Sequence, residues 1–429
     1  MSAANYRTSR DLFLSHHWKR YPAFLRSRDE GDSCGRIIAK DGTTIRIESG
    51  RIDSGVSLNV VSWSDVSLRE PKAAESVPPV HEVLSIGDWV GVDPDGGVIL
   101  FAVCGDRLIT PSGTAVLQAA VEFQKRARDW ADFLSRVRIF FHAREFLEVT
   151  TPSLAPSPGT EPFLDPLSVT VESDGEKFEK YLITSPEFHL KKALAAGLPR
   201  IFEIAKCFRN REGGPHHRVE FHMLEWYRSF ASLDEIADDV AALVHHLSPK
   251  SSIARVTMQE LFRSQVACDL RPEMSRDELN LEAIRLGIRT MPDDEFNDIF
   301  HRIFLEKIEP RLDDFGHGGP LLISGYPPTM AALARIGEDG FADRFEVYWN
   351  GFELCNAFHE LNDPVENRKR FEADERAKEQ SGRKTVPIDE ELLRAFDLGV
   401  PPAGGIALGL ERLFMAIHGL KNIAVVTPF

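Results

Sequence analysis

The sequence contains no uninterrupted apolar run of membrane-spanning length, and the stretch from Met1 to Arg10 has no apolar signal core. A spanning helix and a secretory leader are therefore not expected, and the chain reads as cytoplasmic, with no membrane partner. Cysteine is sparse: the five residues Cys34, Cys104, Cys207, Cys268 and Cys355 are scattered, odd in number and without a C-x-x-C pair. That pattern excludes a disulfide framework and a zinc ribbon, so reduced thiols and no structural zinc are expected. Histidine offers no metal pair either, because His189, His216 and His217 lack the H-x-x-x-H spacing. Positive charge is short, with a formal net charge of -15 and a pI near 5.5. A coat for nucleic acid is excluded, although a local basic patch is not. No internal repeat or low-complexity tract is present, which removes solenoids and linkers.

What is there describes an ordinary soluble globular chain of 429 residues, 43% hydrophobic and 27% charged, long enough for two or three domains. Residues 1–28 carry six basic side chains against one acidic one, with helix-like apolar spacing from Leu12 to Leu25. Five short alternating runs follow, at 35–40, 43–48, 57–62, 88–92 and 98–103, separated by Asp41-Gly42, Pro78-Pro79 and Asp95-Gly96-Gly97. They predict a small β-barrel of the oligonucleotide-binding (OB) type. Residues 29–107 nevertheless hold fourteen acidic and seven basic side chains and few rings beyond Trp63, Trp89 and Phe101, a poor face for nucleic acid. The segment Leu108 to Gly113 reads as a hinge, giving two domains, 1–110 (helix plus OB-like barrel) and 111–429. The second opens on a long helix from about Val116 to Arg144 and then alternates strand and helix signals, with strands expected at 146–152, 180–184 and 201–205 and a helix at 232–247. The stretch from Ser251 to Lys307 is mostly helical and carries no recognisable chemistry.

Three segments carry the chemistry. In Gly405-Ile-Ala-Leu-Gly-Leu-Glu-Arg412, strand alternation puts Gly405, Ala407 and Gly409 on one nearly bare face. Such a face reads as a floor beneath a flat ligand, and Arg412, opening a helix, suits a phosphate tail. In Phe345 to Asn356, Asn350-Gly351 predicts a two-residue hairpin turn that sets Glu346 and Glu353 on one face. Two adjacent carboxylates suit a magnesium ion that also grips phosphates; two solvated glutamates are the plain alternative. Asn356, Phe358 and Glu360 fall on the other face unless a bulge intervenes near Leu354 to Asn356. In Phe221 to Arg228, Glu225 and Tyr227 point the same way and, with Phe358 and Glu360, can line a slot for an alkylammonium; an internal ion pair with Arg228 is the alternative. Glu187 starts a helix, where its simple role is a first-turn carboxylate.

From Val116 to the end the chain resembles class II aminoacyl-tRNA synthetases of the lysine type, and most closely the family of compact elongation factor P lysine ligases. Phe208-Arg209-Asn210 with His217-x-x-x-Phe221 resembles class II motif two, Gly405 to Arg412 motif three, and Glu148-Val-Thr-Thr-Pro152 the end of motif one, the dimer interface in that family. The resemblance implies an α+β fold, an antiparallel sheet flanked by helices and preceded by the OB-like barrel. It further implies that Arg209 bridges the α-phosphate of ATP and the amino-acid carboxylate, that Arg412 meets the terminal phosphate, and that Glu212, His217, Phe221 and Gly409 complete the ATP site. Glu346 and Glu353 would hold Mg2+. Glu187 would receive the backbone-side amine, Asn356 the carboxylate, and Glu225, Tyr227, Phe358 and Glu360 the side chain of lysine or β-lysine. Ala407 stands where lysyl-tRNA synthetases have glycine and the elongation factor P ligases have alanine, so the expected reaction is adenylation of (R)-β-lysine or lysine and transfer to a lysine of elongation factor P by a homodimer. A lysyl-tRNA synthetase acting on tRNA and a catalytically silent paralogue remain as alternatives. The chain departs from the pattern at Arg211, where glutamate is usual and Glu212 follows, at Glu145 and Ala357, where glycine is usual, and at His217-Arg218-Val219-Glu220.

Overall fold

The computed structural model describes residues 33–41, 44–50, 61–67, 89–92 and 98–102 as backbone and 111–426 continuously, with side chains from Phe123 onward except Gln124. The helix expected within residues 1–28 and the first half of the expected hinge, Leu108 to Thr110, lie outside the described residues. The chain divides into two compact units, Met1–Lys125 and Arg126–Phe429.

In the first unit, β1 (Ser33–Asp41), β2 (Thr44–Gly50), β3 (Val61–Ser67), β4 (Trp89–Val92) and β5 (Val98–Ala102) form one sheet in the order β3-β2-β1-β4-β5, every neighbouring pair antiparallel. The third strand runs later than the apolar alternation at 57–62 indicated.

Helix α1 spans Pro111–His142. It therefore takes Pro111 to Gly113, read from the sequence as hinge, into its first turn, where a proline is tolerated because its missing N–H would have no partner. In the second unit eight strands form the sheet β12-β13-β14-β15-β16-β11-β10-β6: β6 (Leu147–Glu148), β10 (Arg200–Phe208), β11 (Glu220–Ser229), β12 (Ala254–Thr257), β13 (Leu321–Tyr326), β14 (Ala342–Trp349), β15 (Phe352–His359) and β16 (Ala403–Gly409). The expectation of an antiparallel sheet holds through its centre and fails at both edges, where β6 pairs with β10 and β12 with β13 in parallel. Parallel neighbours need a long crossover, and both edge pairs have one, residues 149–199 and 258–320. The sheet is mixed. Of the strand expected at 146–152 only Leu147–Glu148 pairs, and residues 180–182 belong to a separate three-stranded sheet of β7 (Leu154–Ala155), β8 (Leu167–Ser173) and β9 (Glu176–Leu182).

Register sorts the side chains into two faces. Phe202, Trp226, Ile406, Ala357 and Phe345 sit opposite one another across five strands, as do Leu224, Leu408, Cys355 and Val347. These residues form the main core with α1, with α3 (Leu233–Leu247) and with α10 (Leu410–His418). Its drive is burial of apolar area, about 25 cal/mol per Å2. Helix α3 is fixed at its start by Ser232, whose hydroxyl accepts from the Glu235 N–H while the Glu235 carboxylate accepts from the Ser232 N–H. The opposite face is only partly covered, at one end, by α2 (Glu187–Ala195), α8 (Pro364–Gln380) and α9 (Glu390–Leu398). The crossover 258–320 has its own core, built by α4 (Met258–Val266), α5 (Arg276–Arg285), α6 (Phe296–Ile303) and a π turn at Phe304–Ile308, with short α7 (Leu312–Phe315) closing it.

Candidate functional site

Because the pleat puts every second residue on one side, the open face of the sheet carries transverse rows of side chains. One row reads Glu203, Glu225, Ala407, Asn356 and Glu346 across β10, β11, β16, β15 and β14; the next reads Ile201, Tyr227, Gly405, Phe358 and Arg344. Met223 stands opposite Gly409 in a third. The hairpin turn is as expected, with Asn350 and Gly351 both at positive φ, as a type I′ turn requires. The bulge near Leu354 to Asn356 that would bring all five residues to one face is there: Tyr348 faces Glu353 while Val347 faces Cys355, leaving Leu354 as the extra residue. That one residue brings Glu353 to the same face as Asn356 and Glu346.

This open face borders one cavity of about 500 Å3. Around it stand Arg209, Glu212, His217, Phe221, Gly409 and Arg412 on one side and Glu187, Tyr227, Asn356, Phe358, Glu360 and Ala407 on the other, with Glu353. Of the residues singled out from sequence, Glu225 and Glu346 lie just behind this lining.

At the arginine end, the Arg209 guanidinium lies 5.2 Å from the Phe221 ring centroid, and its Nε, though buried, has no hydrogen-bond partner. Arg412 donates to the Glu353 carbonyl at 2.9 Å and lies 2.5 Å from His217 Nε2. Burial and the Arg412 charge both lower the His217 pKa; the ring is neutral and its Nε2 accepts. Arg211 adopts a left-handed φ of 62° and turns outward, 80% exposed and 3.5 Å from Asp165, so that Glu212 takes the cavity wall 3.9 Å from Arg209. Glu212, not Arg211, therefore lines the cavity. For the nucleotide that the sequence resemblance implies, Arg211→Ala is expected to leave the apparent KM within about twofold, as an exposed pair contributes little; steady-state kinetics checks it. Glu145, another departure noted from the sequence, also holds a positive φ, 61°.

At the other end, Glu225 is fully buried, accepting from Ser185 Oγ at 2.5 Å and from the Tyr227 hydroxyl at 3.3 Å. Burial, then the Glu187 charge, raises its pKa well above the usual range. Arg228, the alternative partner considered from sequence, pairs instead with Glu235 and Asp239. Three groups had not been singled out. Lys191, four residues after Glu187, places its ammonium 2.6 Å from Glu187 and 2.7 Å from Glu360; the i,i+4 spacing was the available signal. Arg344, on the same face as Glu346 two residues on, donates to Asn356 Oδ1 at 3.0 Å and to Glu346. With Oδ1 engaged, the Asn356 amide N–H donors are left for the cavity. Glu161, from the loop before β8, also lines the cavity, and nothing in its sequence neighbourhood pointed there.

The bare ribbon needs correction. At Gly405 an added Cβ would stand 2.2 Å from Glu360 Oε1 and 2.3 Å from Tyr227 Cε1, so that part of the floor is already occupied by side chains of the slot. At Gly409 the nearest atom is Arg412 Cδ at 3.7 Å. Only the Ala407–Gly409 half is open to a flat ligand.

The carboxylate pair fits a magnesium ion in an unequal way. Glu346 accepts from Tyr326 at 2.7 Å, from Tyr348 at 2.8 Å and from Arg344, which occupies three of roughly four acceptor positions. Glu353 carries no hydrogen bond or ion pair from another described side chain, and burial together with Glu346 pushes its pKa up to about 7. One free and one restrained carboxylate, with phosphate oxygens, is a donor set magnesium accepts.

Residues 118–429 match the family described as tRNA synthetases class II (D, K and N). The elongation factor P–(R)-beta-lysine ligase of Vibrio cholerae is 38% identical over 308 residues, covering 70% of this chain and 93% of that protein. Its namesake from Vibrio atlanticus is 36% identical over 312 residues, 71% of this chain and 95% of the relative. That of Edwardsiella ictaluri is 35% identical over 307 residues, with 70% and 93% covered.

Proposed function

Since this chain belongs to the class II tRNA synthetase family (D, K and N), we propose that it is an ATP-dependent ligase that adenylates (R)-β-lysine and transfers it to a lysine side chain of elongation factor P. The observation that carries this reading is a single cavity with Arg209 and Arg412 at one end and the carboxylates Glu187, Glu225 and Glu360 at or just behind the other. Relatives of this name align over nearly their whole length, so the tRNA-charging and silent alternatives are not favoured.

In this reading the substrate carboxylate lies between Arg209 and the Asn356 amide and attacks the α-phosphorus in line, with pyrophosphate leaving. Arg209 neutralises charge developing on the α-phosphoryl oxygens, while Arg412, let go by His217, holds the terminal phosphate. Phe221 and the open Ala407–Gly409 ribbon take the adenosine, and Glu212 meets its base. No side-chain nucleophile is needed; positioning and charge supply the acceleration. Magnesium, held by Glu353 with Glu346 behind it, would supply further neutralisation of the triphosphate. The substrate's side-chain amine enters the slot of Glu225, Tyr227, Phe358 and Glu360, and its other amine meets Glu187.

Ala407 lies between Glu225 and Asn356 in the transverse row, beneath the carbons that join the two ends of the substrate. Its methyl group disfavours an amine on the α carbon. Ala407→Gly is expected to shift the ratio of kcat/KM for β-lysine over α-lysine toward α-lysine by about tenfold, within the 1 to 3 kcal/mol that one methyl supplies; competition between the two in pyrophosphate exchange checks it.

We assign the front sheet to the OB-like barrel and the protein to the cytoplasm. A second copy of the chain would pack on α1 and β6, where Ile139 and Leu147 are 55% and 51% exposed. The reading is tested by mass spectrometry of elongation factor P after incubation with the protein, ATP and (R)-β-lysine. A gain of one β-lysyl group is expected; no gain, together with charging of tRNA by lysine, overturns it.

A further inference from the structure

Lys191 is a buried cation among the carboxylates of the substrate end, and it belongs to no motif. Its side chain and that of Glu360 are each 1% exposed, and its ammonium bridges a helix residue, Glu187, to a residue 173 positions away that directly follows β15. Burying an ammonium is unfavourable unless it is paired, and the pairing here raises the Lys191 pKa above its ordinary value against that burial. Both Glu360 oxygens nevertheless lack a well-aligned hydrogen bond, so Glu360 retains acceptor capacity. Glu161, which also lines this cavity, feels the charges of Arg209 and Lys378 without a direct ion pair among the described side chains, and Glu225 accepts only from hydroxyls. Carboxylates outnumber cations here, and Lys191 makes up part of the difference.

We propose that Lys191 is a positioning residue that gives the pocket its preference for a substrate bearing two ammonium groups, by holding Glu187 and Glu360 at a fixed separation and supplying one built-in positive charge between them. The proposal rests on the ligase reading above. Without that ammonium, Glu187 and Glu360 would repel each other across a dry space, and one would take up a proton or swing away. Either outcome removes a receptor for one of the substrate's amines while leaving Arg209, Arg412 and the nucleotide end untouched. A methionine of similar length retains the packing and deletes the charge, so the two contributions separate.

The test is pyrophosphate exchange with the wild type, Lys191→Met and Lys191→Ala, using (R)-β-lysine, α-lysine and norleucine, the last lacking the side-chain amine. In Lys191→Met the KM for the diamino acid is expected to rise at least about 30-fold, as for loss of one partner from a buried charge pair, with the KM for ATP within about twofold. Preference for the diamino acid over norleucine is expected to fall by at least about tenfold. Adding n-propylammonium is expected to restore exchange to Lys191→Ala, and this decides the matter if the methionine variant does not fold. An unchanged diamino-acid KM, a parallel rise in both KM values, or a folded Lys191→Ala that the alkylammonium does not rescue overturns the role of Lys191. Wild type that exchanges pyrophosphate with no amino acid overturns the ligase reading itself.

Discussion

Arg209→Ala is expected to lower amino-acid-dependent pyrophosphate exchange about a thousandfold, mainly in kcat. Arg209 follows β10 directly, its N–H donates to the Val219 carbonyl at 2.9 Å, and its guanidinium is held near the Phe221 ring. The group is therefore set in place before substrate arrives, and its buried Nε has no partner to surrender. Removing a preorganised donor aimed at charge that grows in the transition state costs about 10² to 10³ in rate; in the proposed reaction the same group also orients the attacking carboxylate, which places the expectation at the upper end. Binding of ATP, measured by calorimetry, should weaken far less than exchange, because Arg412 and the remainder of the nucleotide wall stay. Equal losses in both would make Arg209 a binding residue only.

Gly405→Ala is expected to cut kcat/KM for the diamino acid about a hundredfold while ATP affinity stays within a few-fold. The new methyl would meet Glu360 Oε1 at 2.2 Å and Tyr227 at 2.3 Å. Neither can step aside cheaply: Glu360 is tied to Lys191, and the Tyr227 ring is buried with its hydroxyl on Glu225. Overpacking of this kind costs about 1 to 3 kcal/mol, and most of it falls on the slot. Gly409→Ala is a useful contrast, since its nearest neighbour is at ordinary van der Waals distance. Thermal unfolding of both variants beside their kinetics separates a damaged slot from a damaged fold.

Much of the site was legible because strand alternation is a strict rule. It placed Glu346 with Glu353 and Glu225 with Tyr227, and it required the bulge at Leu354 if Asn356 was to join them. The turn at Asn350-Gly351 and the helix opened by Glu187 were equally local signals. What alternation could not give was depth. Which side chains lean over Gly405 depends on strands β11 and β15 arriving from elsewhere in the chain, so the ribbon looked barer than it is. The same holds for Lys191 and Arg344, whose partners Glu360 and Asn356 lie 169 and 12 residues away. The parallel edge pairs were missed because crossovers leave no periodic trace in the strands they connect.

The most direct measurement is ATP–pyrophosphate exchange by the purified wild type with (R)-β-lysine, α-lysine and no amino acid, in the absence of any tRNA. Exchange that depends on the amino acid and prefers (R)-β-lysine is the expected result, because Arg209 and Arg412 then work on the same molecule that the carboxylate slot has selected. Preference for α-lysine, or no exchange with either, would contradict it.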